Sequence, residues 1–266
     1  MLFGVHSKLY ARIAIIAAVV IVVALIVLSL ARSTSPAMDT PEISVIKRRG
    51  ALLIGVLSDV PGFSEDGSGL EVELGKRLAA RIFPDKGEDS ALFVEMNSRM
   101  LSAKLSDTSI DIGICLSEKG ANTSRYAYSN TYYTDECLLA VKSGSSPSLS
   151  GAKIGYITNS TLRNRMDSYA EENEFEYEKR EFATYEMMLN ALEKGEITAA
   201  LITGAHMRIY SSAYAIAAYP EAIGTIEYAM VCQSDMSPLV EIANEMLSEL
   251  KSSGELDRLI TQYIGG

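Results

Sequence analysis

The sequence predicts an α/β protein with two lobes, each built on a parallel sheet, behind an apolar segment long enough to cross a membrane. Three observations lead to this prediction: a uniformly apolar run at residues 13–31 and two separate series of apolar strands that alternate with amphipathic helices. Strands that alternate with helices indicate βαβ units, which form parallel sheets. The 266 residues are enough for two lobes of roughly 100 residues each, which is an ordinary domain size.

The N-terminal run at residues 13–31 is apolar except for Ser29. At a rise of about 1.5 Å per residue, a helix of this length matches a hydrocarbon core about 30 Å thick. The core of a signal peptide is shorter, about 7–15 residues, so we expect an uncleaved membrane anchor. Lys8 and Arg12 precede the run, which favours an N-terminus in the cytoplasm and the remaining chain outside. Cleavage after Ala31 and secretion is the alternative.

The first series of strands and helices follows a tether at residues 33–42 that is rich in Ser, Thr and Pro. Residues 51–57 form an apolar run that suits a buried parallel strand. Residues 92–96 and 110–115 are predicted as further strands. Between the first two strands, apolar residues recur at every fourth position and predict a helix that a proline ends: Leu70, Leu74, Leu78, Ile82 and then Pro84.

The second series repeats this order of strands and helices. Its predicted strands are residues 153–157, 175–180 and 197–202, and its predicted helices begin at Ser160 and at residue 184. The two series are joined at residues 137–141 and again at 226–231, which suggests two crossovers between two lobes.

These joins define the expected domain organisation. We assign residues 1–42 to the anchor and tether, 43–135 to the first part of lobe 1, and 136–227 to lobe 2. Residues 228–266 then return to lobe 1, where two amphipathic helices close the domain.

Composition excludes several classes of function. A net charge of −10 and a pI near 4.8 argue against a nucleic-acid partner, because no basic stripe is present to bind phosphates. The three cysteines and two histidines show no metal-binding spacing, and no Gly-rich phosphate loop or G-x-S-x-G elbow occurs. The sequence therefore predicts a protein without a cofactor or metal that is not an enzyme.

Short motifs in a fixed order carry a resemblance to a known family. Residues 69–74 (GLEVEL) resemble its G-[FY]-[DE]-[VI]-[DE]-[LI] helix start, and the series continues to the end of the chain: residues 61–63, 111–114, 128–133, 149–155, 195–200 and 244–265. Together they resemble the bacterial extracellular solute-binding proteins of family 3, the polar amino-acid class. The resemblance implies a type II periplasmic-binding-protein fold, a two-lobed Venus flytrap that closes on a small solute. It also implies an ABC permease as partner and a monomeric state.

The expected carboxylate site differs from the family pattern. In amino-acid binders of this family, an Arg in a T-x-E-R turn holds the ligand carboxylate, since two parallel N–H donors fit a planar anion. Here Asn122 stands at that position and Arg125 follows three residues later. A three-residue shift on a helical turn keeps about the same face, so Arg125 is a candidate ligand contact. A solvated surface charge is the alternative for Arg125. Ser117 matches a family serine that binds the ammonium.

The expected ammonium site has lost its acid. The family's Asp at the end of a lobe 2 strand is replaced here by Thr203, which is neutral. Glu118 is a candidate replacement, as are Asp59 and Glu71, although an exposed or helix-capping acid is the plainer interpretation of each. The loss of charge predicts a preference for an anionic or neutral polar solute over a zwitterion.

The opposite wall keeps an anion-binding turn. Asn159, Ser160 and Thr161 match the family's G-[ST]-T turn, where free amides at a helix N-terminus hold the ligand carboxylate. Simple N-capping is the alternative interpretation of Ser160 and Thr161. Phe63 is a candidate aromatic residue of the cleft.

The resemblance also bears on the cysteines and on the role of the protein. Cys137 and Cys232 fall in the two crossover strands, which lie side by side in this fold, so we expect them to be near neighbours. A disulfide and two buried free thiols are both open.

The expected function is capture of an amino acid or related organic acid for an ABC-type importer. A membrane-tethered sensor, or an orphan binding module without a transport role, is the alternative.

Overall fold

The structure is a computed structural model that describes residues 36–58, 60–120, 123–158 and 160–265. The predicted anchor at residues 13–31 lies outside the described residues, as do Asp59, Asn122 and Asn159. Within the described ranges, no helix has the length and apolar character needed to cross a bilayer.

The first lobe is a sheet with helices packed against it. Its central strand, β1, pairs in parallel with β2 on one side and β3 on the other. The last two helices return to this lobe and pack against the others. Its elements are α1 (Pro41–Arg49), β1 (Leu52–Leu57), α2 (Leu70–Ile82), β2 (Ala91–Met96), α3 (Leu101–Ser106), β3 (Ile112–Gly113), α7 (Ser237–Ser252) and α8 (Glu255–Tyr263).

The second lobe repeats this arrangement around β5, which pairs in parallel with β6 and β7. Thr184 caps α5 by accepting from the Met187 N–H at 3.1 Å, and Gly195 ends the helix in the left-handed conformation, with φ of 75°. The elements are β5 (Lys153–Ile157), α4 (Leu162–Glu172), β6 (Glu178–Phe182), α5 (Tyr185–Lys194), β7 (Ala199–Thr203), α6 (Gly204–Tyr210) and β8 (Ile216–Ala218).

Two long strands, β4 (Tyr126–Lys142) and β9 (Gly224–Gln233), join the lobes. They pair antiparallel from Tyr126–Gln233 at one end to Cys137–Gly224 at the other. Because both strands continue from one lobe into the other, the described strands form one sheet in the order β2-β1-β3-β9-β4-β7-β5-β6, with β8 also paired to β4. The two predicted crossovers are therefore a single ladder, and the two-lobed α/β fold is confirmed.

The expectation that Cys137 and Cys232 are close neighbours was wrong. The ladder pairs Cys232 with Ala127 and Cys137 with Gly224, so the two cysteines lie at opposite ends of the crossover. Cys115, Cys137 and Cys232 are all buried and free. The error arose because adjacency of the strands was inferred without their register, which sets the neighbour of each residue.

Glu71 is a fully buried carboxyl, not the exposed or capping acid that its position in the first turn of α2 suggested. Its Oε1 accepts from the Leu116 N–H at 2.8 Å and from the Tyr132 hydroxyl. Oε2 has no hydrogen-bond partner among the described residues. Burial raises the pKa of Glu71 to about 8, despite these two hydrogen bonds. Glu71 thus ties α2 to β4 and to the loop that carries Ser117.

We expect the protein to lose stability as pH rises, and we expect the Glu71→Gln variant to lose less. The pKa of Glu71 is about 8 in the folded chain and about 4.3 in an unfolded one. Between these values only the folded state holds the proton, so the free energy of unfolding falls with rising pH, by at most about 1.4 kcal/mol per pH unit. Gln cannot ionise and keeps an oxygen that accepts from Leu116 and Tyr132.

Thermal unfolding at about pH 5 and about pH 8 measures this difference. We expect the Glu71→Gln variant to gain stability over the parent at the higher pH, and much less at the lower one. Glu241→Gln, at an exposed position on α7, is the matched control. The same difference between variant and parent at both pH values would contradict the assignment.

Candidate functional site

A cavity of about 440 Å³ lies between the two lobes. Its walls are the carboxyl end of β1 and the segments at the carboxyl ends of β2, β3, β5, β6 and β7, together with parts of the β4–β9 ladder. In open α/β sheets, ligands bind at this edge of the strands. We call this space the inner cavity. Its polar lining groups include Ser117, Glu118, Ser160, Thr203 and His206.

Glu118 reaches from lobe 1 to lobe 2. Its Oε2 accepts a hydrogen bond from the Thr161 hydroxyl, and its Oε1 lies 3.6 Å from Nη2 of Arg165 on α4. The Glu118 side chain is 21 % exposed. Among the described residues that line the inner cavity, Glu118 alone carries a charge at neutral pH. The predicted anion-binding turn at the start of α4 therefore contacts a carboxylate of the chain itself.

The remaining members of that turn have separate roles. Ser160 lines the inner cavity, and its Oγ accepts from the Leu162 N–H at 3.2 Å, so its side chain caps the start of α4. Thr161 does not line the cavity, but its hydroxyl donates to Glu118, which does. Ser117, on the facing wall, has its Oγ 3.2 Å from the Cys115 Sγ.

Thr203 lies at the centre of a buried polar network rather than in open space. Its Oγ1 accepts from the Tyr228 hydroxyl at 3.0 Å and lies 2.8 Å from Nδ1 of His206. Asp135 is next to it: its Oδ2 accepts from the Ala205 N–H at 2.8 Å and lies 3.4 Å from the Tyr228 hydroxyl oxygen. Burial raises the pKa of Asp135. A carboxyl group thus stands beside the position where the family acid is missing, although Asp135 does not line the cavity.

His206 and a group of tyrosines line the inner cavity without having been predicted. Burial lowers the pKa of His206 to about 4, so its ring is neutral at pH 7. The ring stacks on Tyr185 with centroids 4.4 Å apart. The other three are Tyr126, Tyr128 and Tyr228, all on the crossover strands. Tyr126 and Tyr128 could have been predicted to act together, because residues two apart at the start of β4 lie on one face of the strand.

Two predicted residues lie away from the inner cavity. Phe63 is fully buried and packs edge-on against Tyr133, with ring centroids 5.4 Å apart. Arg125 donates to the Ser106 hydroxyl at 3.1 Å, and its guanidinium lies 5.8 Å from the ring centroid of Tyr126. Arg125 is adjacent to Tyr126 in sequence, but only Tyr126 lines the inner cavity.

A second, larger cavity of about 880 Å³ adjoins the first. We call it the outer cavity. The two share four lining residues, namely Ser98, Ile157, Thr158 and Tyr185. Arg99 lines only the outer cavity, and its Nη2 donates to the Ala183 carbonyl at 2.9 Å, which bridges the two lobes. Glu186 stands on the lobe 2 wall and accepts from the Tyr210 hydroxyl at 2.7 Å.

The chemistry of these cavities is that of binding. They combine hydroxyl groups, aromatic rings and a few charges around a space that two lobes enclose, as ligand pockets do. Within the described ranges, no group of three or more His, Cys, Asp or Glu residues is arranged to hold a metal ion. Burial raises the pKa of Cys115, whose Sγ is at the wall, to about 12, so this thiol is not a nucleophile at neutral pH.

Solved structures of other proteins resemble the fold of this chain. A mutant of ArgBP from T. maritima superposes with a TM-score of 0.65 at 21 % identity, over 85 % of this chain and 100 % of that one. An ABC transporter/periplasmic binding protein from Brucella ovis with glutathione bound gives 0.66 at 19 %, over 81 % and 73 %. An amino acid ABC transporter substrate-binding protein from Streptococcus pneumoniae bound to L-arginine gives 0.63 at 21 %, over 82 % and 96 %.

These structures share the fold of the chain. The family model for bacterial extracellular solute-binding proteins, family 3, matches residues 52–266, which include every described strand of both lobes and every described residue of the two cavities. The chain therefore belongs to the bacterial extracellular solute-binding proteins of family 3.

Proposed function

We propose that the space between the lobes captures a small polar solute and that the protein delivers it to an ABC-type importer. The observation that carries the proposal is the inner cavity, whose walls come from both lobes at the carboxyl ends of their strands. A solute there contacts both lobes at once, so it stabilises the closed arrangement. The ligands of structurally similar proteins, arginine and glutathione, support an amino acid or a related compound of similar chemistry.

Ser117, Ser160, Thr203 and His206 are the proposed polar contacts of the solute. The position of Glu118 changes the expected charge of the ligand. The sequence predicted an anionic or neutral polar solute rather than a zwitterion, because Thr203 replaces an acid and Thr161 was one of the expected anion contacts. The Thr161 hydroxyl instead donates to Glu118. An anion beside this carboxylate would be repelled in a poorly solvated space. We therefore expect the part of the ligand nearest Glu118 to be neutral or cationic.

The remaining organisation is also proposed. The lobes are residues 43–135 with 228–266, and residues 136–227. A membrane anchor at residues 13–31 holds a monomeric binding domain outside the cytoplasm. The predicted tether at residues 33–42 was too long, because residues 36–42 are part of the folded domain: Ala37 and Met38 are buried in its core and α1 begins at Pro41. An ABC permease in the same membrane is the partner, and the protein catalyses no reaction.

Filling the cleft should abolish solute binding without unfolding the protein. Ser98 is exposed and lines both cavities, so Ser98→Trp places an indole at their junction. A ligand that binds only the folded state raises the melting temperature. A thermal-shift screen of amino acids, small organic acids and short peptides should therefore find ligands for the parent that fail to stabilise Ser98→Trp, with Kd raised at least about tenfold.

Ser146→Trp, at an exposed position of the loop after β4, is the matched control and should respond as the parent does. An unchanged ligand response in Ser98→Trp would show that the solute binds elsewhere and would contradict the proposed site.

The anchor generates a separate prediction. Because residues 13–31 are long enough to span a bilayer, the mature protein should stay in the membrane fraction after high-salt washing and be released by detergent. Immunoblotting of the fractions together with N-terminal sequencing measures this. A soluble species whose N-terminus begins just after Ala31 would refute an uncleaved anchor.

A further inference from the structure

We propose that the two adjoining cavities together bind a short peptide in extended form, with its N-terminal ammonium at Glu118 and its C-terminal carboxylate at Arg99. This inference rests on the proposed function, because it names the class of solute for the same cleft. It depends on three observations: the continuity of the cavities, the charge at each end, and the separation of these charges.

The continuity follows from the shared lining. Ser98 and Thr158 supply hydroxyl groups at the junction, and Ile157 and Tyr185 supply apolar surface. The two cavities therefore meet at these four residues. The outer cavity alone, at about 880 Å³, is near the upper end of the range of about 300–1,000 Å³ for ligand pockets. The combined space is larger than a single amino acid requires.

The inner end has the properties of an ammonium site. Two carboxylate oxygens offer about four acceptor positions, and Thr161 and Arg165 engage one position on each oxygen of Glu118. The contact to Arg165 is long, at 3.6 Å. Oxygen positions remain for a ligand N–H, and the partly exposed side chain lines the cavity. Hydroxyl groups of the wall, such as that of Ser117, can accept hydrogen bonds from the other ammonium N–H groups.

The outer end has the properties of a carboxylate site. Arg99 is exposed, and its contact with the Ala183 carbonyl uses one of five guanidinium donors. Within the described part of the chain, Arg99 forms no salt bridge. Its other donors can bind a carboxylate in the two-pronged geometry that guanidinium favours. Glu186, on the facing wall, accepts from the Tyr210 hydroxyl, and this hydrogen bond together with the positive charge of Arg99 lowers the pKa of Glu186. Arg99 thus offsets the repulsion between Glu186 and a ligand carboxylate, and Glu186 can accept peptide N–H groups.

The placement of the two charges in different cavities disfavours a ligand whose own charges are adjacent. Glu118 lines only the inner cavity and Arg99 only the outer one. The ammonium and carboxylate of a free α-amino acid are attached to one carbon, so they cannot occupy both ends. An extended peptide advances about 3.3 Å per residue and moves its two termini apart while keeping both charges. A peptide therefore satisfies both ends, whereas a single amino acid leaves one unpaired.

Calorimetric titration of the full chain tests this with four probes. These are the pentapeptide Ala-Leu-Ala-Leu-Ala with free ends, its N-acetyl form, its C-terminal amide, and free leucine. We expect the free-ended pentapeptide to bind at least about tenfold more tightly than each of the other three. Equal or tighter binding of leucine would overturn the inference and leave the cleft as a solute site. Binding of none of the four would overturn it too, and the solute screen with Ser98→Trp then decides the proposed function separately.

Two variants assign the ends. Arg99→Ala should weaken binding of the free-ended pentapeptide at least about tenfold and hardly change binding of the C-terminal amide. Glu118→Gln should weaken binding of the free-ended pentapeptide and hardly change binding of the N-acetyl form. Arg48→Ala and Glu241→Gln, at exposed positions outside both cavities, are matched controls. If Arg99→Ala weakened the free-ended and amidated peptides equally, Arg99 would act only through its bridge to Ala183, and the carboxylate assignment would be wrong.

Discussion

The antiparallel ladder between β4 and β9 is the constraint on which the rest of the structure depends. It begins in lobe 1, where Tyr126 pairs with Gln233, and ends in lobe 2, where Cys137 pairs with Gly224. Both cavity walls are attached to it, so its path sets the distance between them. Its regular pairing is interrupted on either side of Thr131. Such irregularities bend a strand and redirect its side chains, which suits a connection between two lobes.

The buried polar groups near the crossover fix the lobe 2 wall to this ladder. Asp135 on β4 and the Tyr228 hydroxyl on β9 both contact the segment that starts α6, through Ala205 and Thr203. On the lobe 1 side, Glu71 holds the loop after β3 by accepting from the Leu116 N–H. Leu116 has a positive φ of 51°, a conformation that few non-glycine residues adopt without support. The positions of Ser117 and Glu118 thus depend on a carboxyl group that never meets solvent.

Much of the fold was predictable because its signals are local. Apolar periodicity and capping residues placed most helices and strands within a few residues, as with the helix predicted to begin at residue 184 and observed as α5. The short motifs identified the family, which the match over residues 52–266 confirms. The relation between Cys137 and Cys232 was not predictable in the same way, because register depends on long-range pairing that no single segment encodes.

The candidate site was only partly predictable for the same reason. Ser117, Ser160 and Thr203 were candidates because motif positions transfer from one sequence to another, and Glu118 was a candidate replacement for the missing acid. The structure places all four at the inner cavity. The contact between Glu118 and Thr161 joins residues from different lobes, so it could not be inferred from either motif alone. Arg99 and Tyr185 belong to segments without motif character, and only the folding of both lobes brings them to one cleft.

Hydrogen–deuterium exchange of the full chain, with and without the compound that gives the largest thermal shift, tests the central claim most directly. If a solute binds between the lobes, amides on both facing walls, at residues 115–118 and 157–162, should gain protection together. The β4–β9 ladder, already paired, should change less. Protection confined to one wall, or to a surface remote from both cavities, would contradict a site that the two lobes share.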